Sequence, residues 1–205
     1  MNPFLVNLLF AVFCGVIVGV QPLAADTLRD PVIVKNASGQ EILKIRTDHS
    51  DVRLDCTTEG TLLRLMGKLK DSGKRKYQNA AGETLYEVKY KGDGFKLRTA
   101  DGRLLWKVKL KAEKIKISNN EENLNPFEIW AEDGQTLKAG ASGRELGTVS
   151  LIKAPQSVQI YGPTKQERYR VETPQRTKAY GLLLLEEIPE VERYILMAEF
   201  VASGY

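Results

Sequence analysis

The residues best suited to chemistry in this 205-residue chain form a dense run of cations that begins at Lys68. Ser72-Gly73 interrupts the run and is typical of a hairpin turn, so the flanking strands would present the cations at one end of a sheet. Each Lys or Arg close to an anionic membrane contributes about 1 kcal/mol of attraction. We therefore predict an anionic ligand-binding site whose residues project together: Lys68, Lys70, Lys74, Arg75 and Lys76. The competing explanation is that charged turns keep edge strands soluble.

Catalytic groups are sparse. His49 is the sole histidine and lies in a polar segment, with no ligand spacing typical of a metal site. Cys56 has no histidine partner in the pattern, which favours a buried, unreactive thiol. The glutamates at 186, 187, 190 and 192 could form paired carboxylates, but their position beside a terminal helix favours a solvated flank. Since nucleotide and serine-hydrolase motifs are also absent, we expect no catalytic residues, no metal and no cofactor.

The N-terminal segment 1–25 carries no Asp, Glu, Lys, Arg or His and is almost continuously apolar. Small residues precede Asp26, as signal peptidase requires, so we predict cleavage after Ala25 and an exported mature protein. Sequencing the N-terminus of the protein from its native host should therefore read Asp26 first. An intact Met1 in a membrane fraction would instead identify the segment as a retained anchor, which its length also allows.

The composition of the remaining chain, residues 26–205, fits one domain. Cys56 would be its sole cysteine, so stability must come from a core and not from an intramolecular disulfide. A net charge of +4 arises from 30 basic and 26 acidic side chains that are interspersed. Nucleic-acid-binding proteins usually show a stronger imbalance, so we expect no nucleic-acid partner.

A recurring unit, Gly-x-x-[Leu/Ile]-x-x-[Val/Ile], predicts the strands and turns that would position the cations. It occurs at Gly39, Gly82, Gly102 and Gly143. A glycine turn followed by alternating residues is how a long antiparallel meander is encoded. The stretch from Trp106 to Lys111 alternates without a fault, which predicts an apolar face towards the core and a lysine face towards water.

The period changes near the C-terminus. Apolar residues from Pro189 onward recur on one helical face, which predicts a helix over 189–203. We expect Val191, Ile195 and Ala198 to be almost fully buried. The apolar run 182–185 before it fits either a buried strand or a first helical segment.

Several segments resemble the tubby-like C-terminal superfamily, which includes tubby proteins, phospholipid scramblases and LURP-one-related proteins. The matching residues are Tyr86-Glu87-Val88, Ala100-Asp101-Gly102-Arg103-Leu104-Leu105-Trp106-Lys107-Val108, Trp130-Ala131-Glu132-Asp133-Gly134 and Tyr194-Ile195-Leu196-Met197-Ala198-Glu199-Phe200-Val201. The resemblance implies a closed antiparallel barrel around a hydrophobic C-terminal helix. The Pro-rich region, acylated cysteines and cation-binding segment of scramblases have no counterpart, and the tubby phosphoinositide site cannot be assigned to positions here. The resemblance therefore implies the fold more than a lipid activity.

These observations predict a mainly β protein, a closed or nearly closed antiparallel barrel with a buried C-terminal α-helix. For function they favour a non-catalytic exported binding module of the cell envelope that docks to anionic lipid or an envelope polymer. Two alternatives stay open, a lipocalin-like or lipoprotein-carrier-like carrier of an apolar ligand, and a hydrolase. An open apolar cavity would indicate the carrier, and a cleft with convergent titratable groups would indicate the hydrolase. The sequence does not identify a protein partner.

Overall fold

Short strands separated by tight turns make up most of the chain. The computed structural model describes residues 30–48, 50–152, 157–172, 175 and 177–204; the predicted signal segment 1–25, its cleavage point and His49 lie outside them. The described residues form fourteen strands: β1 (Val32–Asn36), β2 (Glu41–Thr47), β3 (Asp51–Thr58), β4 (Thr61–Lys70), β5 (Lys74–Gln78), β6 (Thr84–Lys91), β7 (Gly94–Thr99), β8 (Leu104–Leu110), β9 (Lys114–Ser118), β10 (Phe127–Ala131), β11 (Thr136–Ala141), β12 (Arg144–Ile152), β13 (Ser157–Tyr161) and β14 (Glu167–Val171).

The strands form an antiparallel meander that closes on itself. Each strand pairs with the next along the chain, and the first pairs with the last, so that Val34 lies opposite Val171. This confirms the prediction of a closed antiparallel barrel. Among the described strands none is left at an edge, so the barrel does not need charged residues to protect one.

The glycines of the recurring unit lie in the turns between strands. Gly82 and Gly102 have φ of 82° and 92°, a region that glycine enters without steric cost. The amide of Gly82 donates to the carbonyl of Asn79 at 3.0 Å, and that of Gly102 donates to Thr99 at 3.0 Å. The unit therefore encodes tight turns, as the pattern predicts.

Alternation along each strand separates the core from the outer surface. On β8, Trp106 and Val108 are 8% and 2% exposed, whereas Lys107 and Lys109 lie on the opposite face and are half-buried. The predicted division of this strand into a core face and a lysine face is confirmed.

The C-terminal helix α1 (Glu190–Ser203) is part of the core. It begins after Pro189 and ends at Gly204, whose φ of 78° is typical of a helix C-cap. Ile195 and Ala198 are 0% exposed, as predicted. The prediction is wrong for Val191, which is half-buried because it lies in the first turn beside exposed residues 189 and 190.

A 3₁₀ helix (Lys178–Leu184) fills the other side of the barrel. It contacts β10, β11, β12 and β13, while α1 contacts β2, β3 and the 3₁₀ helix. The apolar run 182–185, which fitted a strand or a helix, is thus the buried end of this 3₁₀ helix, with Leu185 as its C-cap. Within the described part of the chain, no helix has the length and apolar character needed to cross a membrane.

Candidate anion-binding face

The predicted basic site lies on the hairpin between β4 and β5. Lys68 is paired with Lys76, and Lys70 is paired with Lys74. Directly paired residues of antiparallel strands point to the same side of the sheet, and these four lysines point outward. Lys68, Lys70 and Lys76 are exposed, and Lys74 is half-buried beside Glu87, with Nζ 2.8 Å from its carboxylate.

Arg75 does not belong to this outer face, so the prediction that all five cations project together is wrong. It lies between two outward lysines and therefore points into the barrel, where its side chain is 2% exposed. Its Nη1 donates to Oε2 of Glu199 on α1 at 2.8 Å. Successive residues of a strand point to opposite faces, so outward-facing Lys74 and Lys76 imply an inward-facing Arg75. This alternation is the sequence signal that could have predicted its position inside the barrel.

Strand register extends the lysine surface far beyond the hairpin. Lys74 is paired with Lys89 on β6, Lys89 with Lys96 on β7, and Lys96 with Lys107 on β8. Together they form a continuous row across five strands, which we name the lysine row: Lys70, Lys74, Lys89, Lys96 and Lys107. A further pair, Lys109 and Lys116, joins β8 to β9. Like charges placed directly opposite each other destabilise a sheet, so this row costs the fold stability.

Carboxylates compensate only part of that charge. Glu121, from the loop before β10, lies 2.6 Å from Lys96 and 3.7 Å from Lys107, and also contacts Arg98. The hydrogen bond from Lys96, with the charges of all three cations, lowers the pKa of Glu121 from its ordinary value. Among the described residues, no carboxylate lies within 4.0 Å of four lysines of this surface: Lys68, Lys70, Lys76 and Lys89.

Exposed apolar side chains border the lysines on β4. Leu62 is 54% exposed and Met66 is 42% exposed. Because alternate residues of a strand share a face, both lie on the same outer side as Lys68 and Lys70. The exposed Arg64 lies between Leu62 and Met66 on the same side. The outer side of β4 therefore mixes apolar and cationic side chains towards its start and is cationic towards its end.

A second polar constellation lies inside the barrel and was not predicted. The Glu199 carboxylate is 0% exposed and accepts hydrogen bonds from Arg75, from the Tyr77 hydroxyl at 2.5 Å and from the Tyr90 hydroxyl. Burial and the neighbouring carboxylate raise the pKa of Tyr77 well above its ordinary value. Burial alone would lower the pKa of Arg75, but the charge and hydrogen bond of Glu199 together with the neighbouring Tyr77 and Tyr90 outweigh it and raise that pKa. We name this set the interior cluster; it fastens α1 to β5 and β6.

The remaining reactive groups occupy unreactive surroundings. The Cys56 side chain is 1% exposed, and burial together with Glu190 and Asp55 raises its pKa to about 12, so the thiol is protonated at neutral pH. Glu186 and Glu187 are exposed. The carboxylate of Glu186 lies 2.6 Å from Arg168, and that of Glu187 lies 3.7 Å from Arg144. In the part of the chain that the structure describes, no three His, Cys, Asp or Glu side chains group as a metal site would require.

Comparison with known proteins does not assign this chain to a family, since no family model, no curated protein and no solved structure matches it.

Proposed function

We propose that this protein is a non-catalytic exported module of the cell envelope whose lysine-rich outer face docks to an anionic phospholipid bilayer. The observation that carries the proposal is the set of directly opposed lysines on β4 to β8. A fold under selection for stability alone would place opposite charges in those pairs, and an anionic surface supplies the missing counter-charge.

The charge is sufficient for reversible docking. Each lysine near an anionic membrane contributes about 1 kcal/mol, so the four lysines without a carboxylate within 4.0 Å among the described residues (Lys68, Lys70, Lys76 and Lys89) provide about 4 kcal/mol before the entropy of association is subtracted. That attraction decays within a Debye length of about 8 Å at physiological ionic strength. Binding should therefore be weak, reversible and sensitive to salt.

Leu62 and Met66 favour a lipid surface over a soluble polymer. Both are exposed next to the cations on β4, and partial insertion of two apolar side chains below the head groups would add hydrophobic stabilisation. A soluble polyanion would leave these side chains in water. The barrel around a C-terminal helix also supports kinship with the tubby-like superfamily, whose scramblase members act on lipid, and we propose that kinship on this ground.

The carrier alternative requires an open interior. In this barrel α1 and the 3₁₀ helix occupy the space along the axis, and their residues Leu182, Ile195 and Met197 are 0% exposed. An apolar ligand would have to displace them. We therefore place the function on the outer surface.

Co-sedimentation with phosphatidylglycerol-containing vesicles tests the proposal. Wild type should sediment at low salt and much less at high salt, and should not sediment with pure phosphatidylcholine vesicles. Replacing Lys68, Lys70, Lys76 and Lys89 with Ser should abolish most of the binding. The change removes like-charge pairs such as Lys68 with Lys76, but also the opposite-charge cross-strand pairs of Lys68 with Asp51 and of Lys76 with Glu87. These effects oppose each other, so the urea midpoint of this variant should stay close to that of wild type.

The matched control removes the same charge elsewhere on the barrel. It carries Ser at Lys35, Lys44, Lys165 and Arg170, which lie on β1, β2, the turn before β14 and β14. This control should sediment like wild type. Equal loss in both variants, no vesicle binding by wild type, or binding to a soluble polyanion but not to vesicles would each overturn the lipid proposal.

A further inference from the structure

Trp130 occupies an unusual position on the outer surface of β10. Its neighbour Ile129 points inward and is 0% exposed, so Trp130 points outward, between Lys114 of β9 and Lys138 of β11. The six-membered ring rests against Gly140 of β11, where an added Cβ would lie 3.1 Å from Cη2 and 3.2 Å from Cζ3. Because residue 140 has no side chain, the indole packs directly against the backbone of β11.

Two grooves flank this ring, and Trp130 and Glu128 line both. One groove has a volume of about 460 Å³ and reaches the turn after β8, where Ala112 and Lys178 line it. The other has a volume of about 490 Å³ and reaches the opposite end of β10, where Asn125 and Arg144 line it. Each volume is in the range of small-molecule sites. Together the grooves follow the length of β10 with the aromatic ring between them.

The two grooves differ in charge. In the first, Lys114 and Lys178 face Glu113 and Glu128, so the charges balance. In the second, Lys116 and Arg144 face Glu128 alone. The shared carboxylate of Glu128 lies 3.1 Å from Nζ of Lys114 and 3.0 Å from Nζ of Lys116. Burial opposes ionisation of Glu128, but hydrogen bonds from these two lysines outweigh it and lower its pKa. The carboxylate is thus committed to the two lysines, and the second groove keeps an excess of positive charge.

An aromatic ring in a wet, polar groove favours a ligand that has both an apolar face and a polar edge. A pyranose ring fits this description, because its C–H face can lie on the indole while its hydroxyls reach charged side chains. Quaternary ammonium ligands are disfavoured, since they need an uncharged or acidic aromatic cage and would meet Lys116 and Arg144 in the second groove. The excess positive charge of the second groove favours a saccharide that carries carboxylates.

We propose that Trp130 and its two flanking grooves form a binding site for an acidic oligosaccharide. The site is separate from the lysine row, which lies on β4 to β8, and it does not depend on the lipid-docking proposal. A protein with both surfaces would hold an acidic glycan close to an anionic membrane.

Titration calorimetry of the full chain with trigalacturonate tests the site, with the neutral galactose trimer as the matched ligand. Wild type should bind the acidic trimer more tightly than the neutral one. Trp130→Ala should weaken binding by roughly tenfold or more, the loss expected when one aromatic contact is removed, while Trp130→Phe should retain most of it. Lys116→Ser should reduce the preference for the acidic trimer without abolishing binding.

Vesicle binding and saccharide binding should be lost through different substitutions. The variant with Ser at 68, 70, 76 and 89 should bind trigalacturonate like wild type, and Trp130→Ala should sediment with vesicles like wild type. Unchanged circular dichroism and urea midpoint show that Trp130→Ala is folded; if it is not, Trp130→Leu keeps apolar bulk without the aromatic face. Equal binding by wild type and a folded Trp130 variant, no binding by wild type, or tighter Trp130-dependent binding of a single-stranded oligonucleotide would overturn the proposal.

Discussion

Glu199→Ala is expected to lower the free energy of unfolding by about 3–5 kcal/mol, the usual cost of breaking a buried ion pair by removing one partner. The substitution leaves the Arg75 guanidinium, 2% exposed, without its counter-charge and removes the acceptor of two buried phenols. The Nε of Arg75 has no hydrogen-bond partner among the described residues. The guanidinium would keep only the Tyr90 hydroxyl at 3.2 Å and the Ser50 carbonyl at 3.5 Å, neither of which carries a counter-charge. Urea unfolding followed by circular dichroism measures the loss.

Two further variants separate charge from packing. Glu187→Ala removes an exposed carboxylate from the segment just before the helix, where its contact with exposed Arg144 at 3.7 Å lies in water, and should change stability by less than about 1 kcal/mol. Combining Arg75→Met with Glu199→Leu replaces the pair by apolar groups and should recover much of the loss, because neither charge is then buried alone. A small effect of Glu199→Ala, similar to that of Glu187→Ala, would show that the interior cluster does not hold α1 in place.

The interior cluster also limits how the lysine face can be tested. Any docking variant that includes Arg75 would be expected to lose stability to a similar degree, and the loss of binding would then report unfolding. A variant confined to exposed lysines avoids this confusion, since exposed charges contribute little to stability.

Features that depend on local periodicity could be predicted from the sequence. The alternation from Trp106 to Lys111 and the helical spacing around Ile195 each report which face is buried, because the period of the apolar residues is set by the local backbone geometry. Repeated glycine turns then make each strand pair with its neighbour, which leads to a meander. Closure of that meander into a barrel was instead what the resemblance to the tubby-like superfamily implied, because local periodicity is the same in an open and a closed sheet.

Features that depend on pairing between distant strands could not be predicted in this way. Arg75 and Glu199 are 124 residues apart, and only the position of α1 inside the barrel brings them together. The lysine row depends on the register of four successive hairpins, and a shift of one residue in any of them would break it. The packing of Trp130 on Gly140 likewise requires the register of β10 with β11, which neither residue indicates by itself.

The second large effect is expected for Ile195→Asp, which should prevent folding. Ile195 is 0% exposed on the helix at the centre of the barrel, and a carboxylate there would be buried without a cation to pair with it. It would also lie four residues before Glu199, on the same side of the helix, where two negative charges repel each other. The combined cost approaches the 5–15 kcal/mol that holds a typical domain together.

Val191→Asp is the matched control for this substitution. It places the same side chain on the same helix, but in the first turn, where the residue is half-buried and the positive end of the helix dipole favours an acid. The Val191 variant should therefore remain soluble and melt cooperatively, whereas the Ile195 variant should be insoluble or lack a thermal transition. If the Ile195 variant instead melted like wild type, α1 could not be the buried centre of the barrel, since water would have to reach Asp at residue 195.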